Sequence, residues 1–108
     1  MNLKQTTKEQ FNLCEQVLFK KRQEYAGPQN DNLDAFRKAG ALQGSSSRAA
    51  LAGMMAKHTV SVFDMCQAPI GAFSKEQWEE KITDHINYLI LLKQLLYAEG
   101  DFNEAIKG

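Results

Sequence analysis

Hydrophobic residues recur along this chain at intervals of three and four, and nowhere alternate with polar ones over the length of a strand. Phe11, Cys14, Leu18 and Tyr25 form one such stripe. It predicts a first helix that opens at Thr6 or Thr7, where Thr6 and Glu9 have capping-box spacing, and stops at Gly27-Pro28. Leu33, Phe36 and Ala39 or Gly40 mark a short second helix over about residues 31–42, begun by an Asn/Asp cluster suited to capping. A third helix follows the serine run "SSS" and reaches about Cys66, with Leu51, Met55, Val62 and Cys66 on its apolar side. Ala49, Ala52, Gly53 and Ala56 on the same helix are small enough to let a neighbour come close. The fourth begins at Ser74, whose partner Gln77 completes a capping box, and continues through Tyr97 until Gly100. The pattern predicts an all-α fold, a compact four-helix bundle-like domain with antiparallel neighbours, one domain over residues 1–108, and a short extra turn in the tail "DFNEAIKG".

At 100° per residue, Trp78, Ile82, Ile86, Leu89 and Leu96 make the main apolar face of the last helix, while Glu80, Asp84, Asn87 and Leu91 share another side. Tyr88 adds apolar surface beside Leu95, so residues 88–97 are hydrophobic nearly all round. Such a helix is either central in its own fold or part of an interface between copies, and a two-fold dimer is the simplest closed form of the latter.

Composition narrows the function. A chain of 108 residues with 44% hydrophobic and 9% aromatic residues can build one core without disulfides. Thirteen Lys and Arg balance thirteen Asp and Glu, so no net field draws the protein to nucleic acid non-specifically or to an anionic membrane. The longest apolar run, "YLILL", is far below the ~20 residues that span a bilayer, and "MNLKQTTKEQ" has no apolar signal core. The expected place of action is the cytoplasm, away from membranes. Cys14 and Cys66 form no CxxC pair and read as packing residues.

Two polar rows are candidates for chemistry. Lys57, Ser61 and Asp64 have the same i, i+4, i+7 spacing as Glu80, Asp84 and Asn87. Facing each other, the rows let Lys57 neutralise one carboxylate while the rest hold a cation or a phosphate; otherwise each is a solvated helix face. His58 beside Met54 and Met65, and His85 near the centre of the apolar face, fit hydrogen-bonded, half-buried side chains, and no Cys/His set for zinc accompanies them. The segment "KKRQEYAGPQNDNLDAFRKAG" gathers Lys20, Lys21, Arg22, Tyr25, Asn30, Asp31, Asn32 and Arg37 around a helix start. Free amides, basic groups and an aromatic face suit a nucleotide, and they suit turn and cap chemistry equally. "GSSSR" reads as an N-cap, and no nucleophile elbow, catalytic Cys/His pair or dinucleotide fingerprint is present.

The stretches "EYAGPQNDNLDAFRKAG", "ALAGMMAKHTVSVFDM" and "WEEKITDHINYLILL" resemble, in this order, a group of small phage and prophage proteins of unassigned role. More distantly, the Lys-rich first helix ending in Tyr-Ala and the last helix with a carboxylate before Asn87-Tyr88 look like the phage nucleotide-modification-associated helical domain. The helix order is similar to that of the MazG-like all-α nucleoside triphosphate pyrophosphohydrolases. That resemblance implies a magnesium-dependent cut between the α and β phosphates, for which the family uses ExxE on one helix and ExxD on the next. Here Asp31 and Asp34 are spaced DxxD, Asp64 has no acidic partner on its helix, and Glu80 and Asp84 are spaced ExxxD. Three expectations stand together. In the first, Asp64, Glu80 and Asp84 hold Mg²⁺, Glu80 and Asp84 are catalytic, and Lys57 contacts the triphosphate. In the second, a non-catalytic binder of a nucleotide or nucleotide-derived signal uses Lys21, Tyr25, Asn30, Asn32, Lys57, His58, Asn87 and Tyr88. In the third, an apolar helix docks on a host or defence protein as a phage inhibitor does.

Overall fold

The computed structural model describes residues 1–21 and 33–102, and over these the protein is all-α. Its helices are α1 (Leu3–Lys21), α2 (Asp34–Gln43), α3 (Ser47–Gln67) and α4 (Lys75–Ala98). The expected stop at Gly27-Pro28, the Asp31/Asn32 cap and all of the tail "DFNEAIKG" beyond Asp101 and Phe102 lie outside the described residues.

Each described start has a local cause. Ser46 accepts a hydrogen bond from the Ala49 amide at 3.1 Å and so caps α3. Ser74 and Gln77 make the reciprocal pair of a capping box at 3.1 and 2.9 Å, as their spacing predicts. α1 opens earlier than Thr6. Asn2 and Gln5 exchange the same reciprocal bonds, both at 2.9 Å, while the Thr6 and Thr7 hydroxyls turn back onto the carbonyls of Asn2 and Leu3. Gly44 at φ 66° ends α2, with the Ser45 amide on Gly40 O and the Gly44 amide on Ala41 O, the two bonds of a Schellman motif.

Gly44, Ser45 and Ser46 turn the chain straight from α2 into α3. The turn is tight enough that a Cβ on Gly40 would sit 2.8 Å from the Ser46 backbone. α3 then runs antiparallel to α4, because Thr59 meets His85 while Arg48, eleven residues earlier, reaches Glu99 and Asp101 near the far end of α4. α1 does the opposite. Gln10 bonds to Thr83 and Asn87 to the Cys14 carbonyl, both at a separation of 73 residues, so α1 lies parallel to α4. The antiparallel expectation holds for α3 on α4 and gives way for α1.

α4 is therefore the middle helix, with α3 on one flank and α1 on the other, and α2 packs on α3. Leu33, Phe36, Leu51 and Leu95 form the buried core, joined by Met54, Tyr88, Leu91 and Leu92. This corrects the reading of the apolar faces. Thr83, Asn87 and Leu95 are the buried positions of α4, whereas Ile82 and Leu89 are exposed, because the neighbours approach from the two sides of the Leu95 stripe. On α3, Ala50 and Leu51 are buried while Ala49, Ala52, Gly53 and Ala56 face outward, so the small residues mark no helix crossing. Cys14 is buried as expected, but Cys66 is exposed.

The layer is open. Its radius of gyration of 16.0 Å exceeds the roughly 13 Å of a compact chain of this length. Phe11, Phe19, Val60 and Phe63 are each more than half exposed. Among the described residues no helix is long and apolar enough to cross a membrane.

Candidate functional site

Asp84, Tyr88, Leu91 and Leu95 fall on one stripe of α4 at i, i+4, i+7 and i+11. Leu95 is buried, Tyr88 and Leu91 pack against the core, and Asp84 continues the stripe one turn further as a half-buried carboxylate. The site grows around Tyr88. Its ring lies 4.9 Å from the His58 ring at 46°, and 6.3 Å from Phe36 at 60°, so it bridges α2 and α3.

One turn below, Thr59 donates its hydroxyl proton to the Met55 carbonyl at 3.2 Å and contacts His85 Nε2 at 3.0 Å. Either group can donate in that second contact, according to the tautomer of the His85 ring. On the α1 flank, Gln10 donates from Nε2 to Thr83 Oγ1 at 2.8 Å and reaches Cys14 Sγ at 3.5 Å, and Asn87 donates to the Cys14 carbonyl at 3.3 Å. Thr83 and Asn87 are thus buried polar groups that join α4 to α1.

Two polar atoms remain buried without a hydrogen-bond partner among the described residues, His58 Nδ1 and Asn87 Oδ1. An unmet buried acceptor or donor costs about 1–3 kcal/mol, and native structures leave few of them. The two orphans lie on opposite flanks of α4, one reached through Tyr88 and the other adjacent to it in sequence.

The two polar rows take separate places. Asn87 turns toward α1, Ser61 is half-buried, and Lys57, Asp64 and Glu80 are exposed. Asp84 is half-buried and engaged in its own interaction. Asn87 is thereby turned to a third helix, α1, and away from the Lys57/Ser61/Asp64 row. Among the described residues no three His, Cys, Asp or Glu side chains gather closely enough to hold a metal ion, so Asp64, Glu80 and Asp84 form no such cluster within one chain. Lys21 closes α1, and Tyr25, Asn30 and Asn32 lie outside the described residues.

Sequence reasoning missed the Gln10–Thr83 and Asn87–Cys14 contacts, which link positions 73 apart and leave no local signature. It also missed the Arg48 fork. Arg48 grips Asp101 through both ends of its guanidinium at 2.8 and 3.0 Å and adds Glu99 at 3.3 Å. The bond from Arg48 is the main cause that holds the Asp101 carboxyl below its ordinary range, against a smaller opposing effect of desolvation. The same bond raises the Arg48 guanidinium. No protein family, curated protein or solved structure matches the chain.

Proposed function

We propose that this protein handles nucleotides, binding a nucleotide or nucleotide-derived molecule where the core stripe of α4 emerges beside His58 and Tyr88. The observation that carries the reading is the orphaned buried His58 Nδ1, whose ring lies 4.9 Å from that of Tyr88. A base offers an aromatic face to the His58–Tyr88 pair and a ring nitrogen or amino group to the unmet His58 Nδ1. The resemblance to phage nucleotide-modification and MazG-like domains supports the same chemistry, acting in the cytoplasm of an infected or lysogenic host cell. Lys21, Tyr25, Asn30 and Asn32, which precede α2, and exposed Lys57 are the groups proposed to meet phosphate and sugar.

In the catalytic form of this proposal, Glu80 and Asp84, one turn apart on α4, would hold Mg²⁺ together with Asp64, and the ion would supply an activated water for triphosphate hydrolysis. The dispersal of these carboxylates within one chain favours the binding form over the catalytic one. Calorimetry with a panel of nucleoside mono-, di- and triphosphates, with and without magnesium, tests the reading. A ligand that binds wild type and loses at least tenfold affinity on His58→Ala supports it, and no binding across the panel removes it. Conversion of a triphosphate to monophosphate and pyrophosphate, lost in Glu80→Gln, marks the catalytic form.

A second reading is favoured by the exposed Phe11, Phe19, Val60, Phe63 and Leu89. These side chains suit a protein partner, either a host or defence protein or another copy of the chain. Co-sedimentation with a defined partner, abolished by Phe63→Glu, is the corresponding measurement.

A further inference from the structure

We propose that the outer face of α1 is a two-fold interface, on which a second copy of this chain docks with its own α1 running antiparallel. A groove of about 570 Å³ opens between α1 and α4, lined among others by Lys8, Phe11, Glu15, Leu18, Phe19 and Ile90. Phe11 is 58% exposed and Phe19 54%, although both belong to a helix whose Cys14 is buried against α4. The groove is thus lined by aromatic groups that the other described residues leave in water.

Charge along this face selects the occupant. On the helical wheel Lys4, Lys8, Phe11, Glu15 and Phe19 share one side, whereas Glu9 and Lys20 point well away from it. The side is therefore basic toward its N-terminal end and acidic at Glu15. Lys8 and Glu15 are seven residues apart, about 10.5 Å along the axis, too far to pair within one helix. An antiparallel copy related by an axis between residues 11 and 12 sets Lys8 of each chain opposite Glu15 of the other, giving two ion pairs. The same operation lays each Lys4 over the Phe19 ring of the other copy and brings the two Phe11 side chains beside the axis. A parallel arrangement would set like charge on like charge. The fit is self-complementary, which is why the occupant is a second copy.

The inference deepens the expectation of self-association by naming the face, and it stands apart from the nucleotide reading. Light scattering of the purified full chain at micromolar concentration should give about twice the 12.2 kDa of one chain. Phe11→Glu should return the mass to one chain with unchanged far-ultraviolet circular dichroism. Lys8→Glu and Glu15→Lys should each weaken the dimer at least tenfold, and the double variant, which restores opposite charges across the axis, should recover it. Wild type at one chain's mass overturns the inference, as does a Phe11→Glu dimer or a double variant no better than the singles. Nucleotide binding by a monomeric wild type would leave the nucleotide reading intact while removing this one.

Discussion

Gly40 and Gly53 are both helical, and they answer the same substitution in opposite ways. A methyl on Gly40 meets the Ser46 backbone at 2.8 Å, so Gly40→Ala must push α2 and α3 apart and is expected to cost on the order of 1–3 kcal/mol. Gly53 has open space where its Cβ would be, and Gly53→Ala is expected to add about 0.5–1 kcal/mol through helix propensity. Urea midpoints of the two variants, displaced to opposite sides of wild type, check this. Gln10 and Thr83 form a half-buried bond across helices. A double-mutant cycle of Gln10→Ala with Thr83→Val should show a coupling of about 1 kcal/mol, and additivity would show that the bond is not made in solution. Asp101 supplies a pH dependence. Its folded pKa is lowered chiefly by the bond from Arg48, so the clamp contributes stability above the ordinary carboxylate pKa and loses it as pH falls through the lowered value. A carboxyl NMR titration should place the Asp101 midpoint below that of an unpaired aspartate, and Arg48→Ala should restore the ordinary value. None of these three sites announces itself in sequence, because each depends on a residue brought near by folding rather than by spacing.

Among elements, α4 shows best how much spacing reveals. Its cap at Ser74 and Gln77 and its end near Gly100 are local events and were legible, as were the Ser46 cap of α3 and the apolar Leu33 and Phe36 of α2. The opening of α1 was not, since two capping boxes lie four residues apart and Asn2–Gln5 prevails over Thr6–Glu9. The buried face of α4 was also misread. Periodicity tells which residues share a side, and it is silent about which sides acquire neighbours. With helices on two flanks, Thr83 and Asn87 are buried while Leu89 remains 51% exposed. Leu95→Ala should accordingly cost about 2–5 kcal/mol by thermal or urea unfolding. Leu89→Ala should cost under about 0.5 kcal/mol in a dilute, dissociated sample, the reverse of what a wheel centred on Leu89 implies. For the candidate site, sequence picked out His58, Asn87 and Tyr88, but it joined Asn87 to the acidic row when the fold turns it to α1.

At the scale of the molecule, an open layer with exposed aromatic residues predicts that stability depends on concentration. The melting temperature of wild type should rise by a few degrees over a hundredfold increase in protein concentration, and Phe11→Glu should flatten that dependence. The parallel seating of α1 on α4 also sets an order of events during synthesis. The side chains that seat α1 lie 73 residues further along, on α4. At about 5–20 residues per second the ribosome takes roughly 4–15 s to deliver them. α2 and α3 can fold back on one another meanwhile, since only three residues separate them. Throughout that interval α1 carries an uncovered Cys14 with no helix to receive it, beside Phe11 and Phe19, which stay exposed even in the folded chain. On a crowded polysome the first α4 to arrive can belong to a neighbouring chain, so the same topology that places α1 beside α4 makes exchange of this helix between nascent copies the characteristic error of its folding.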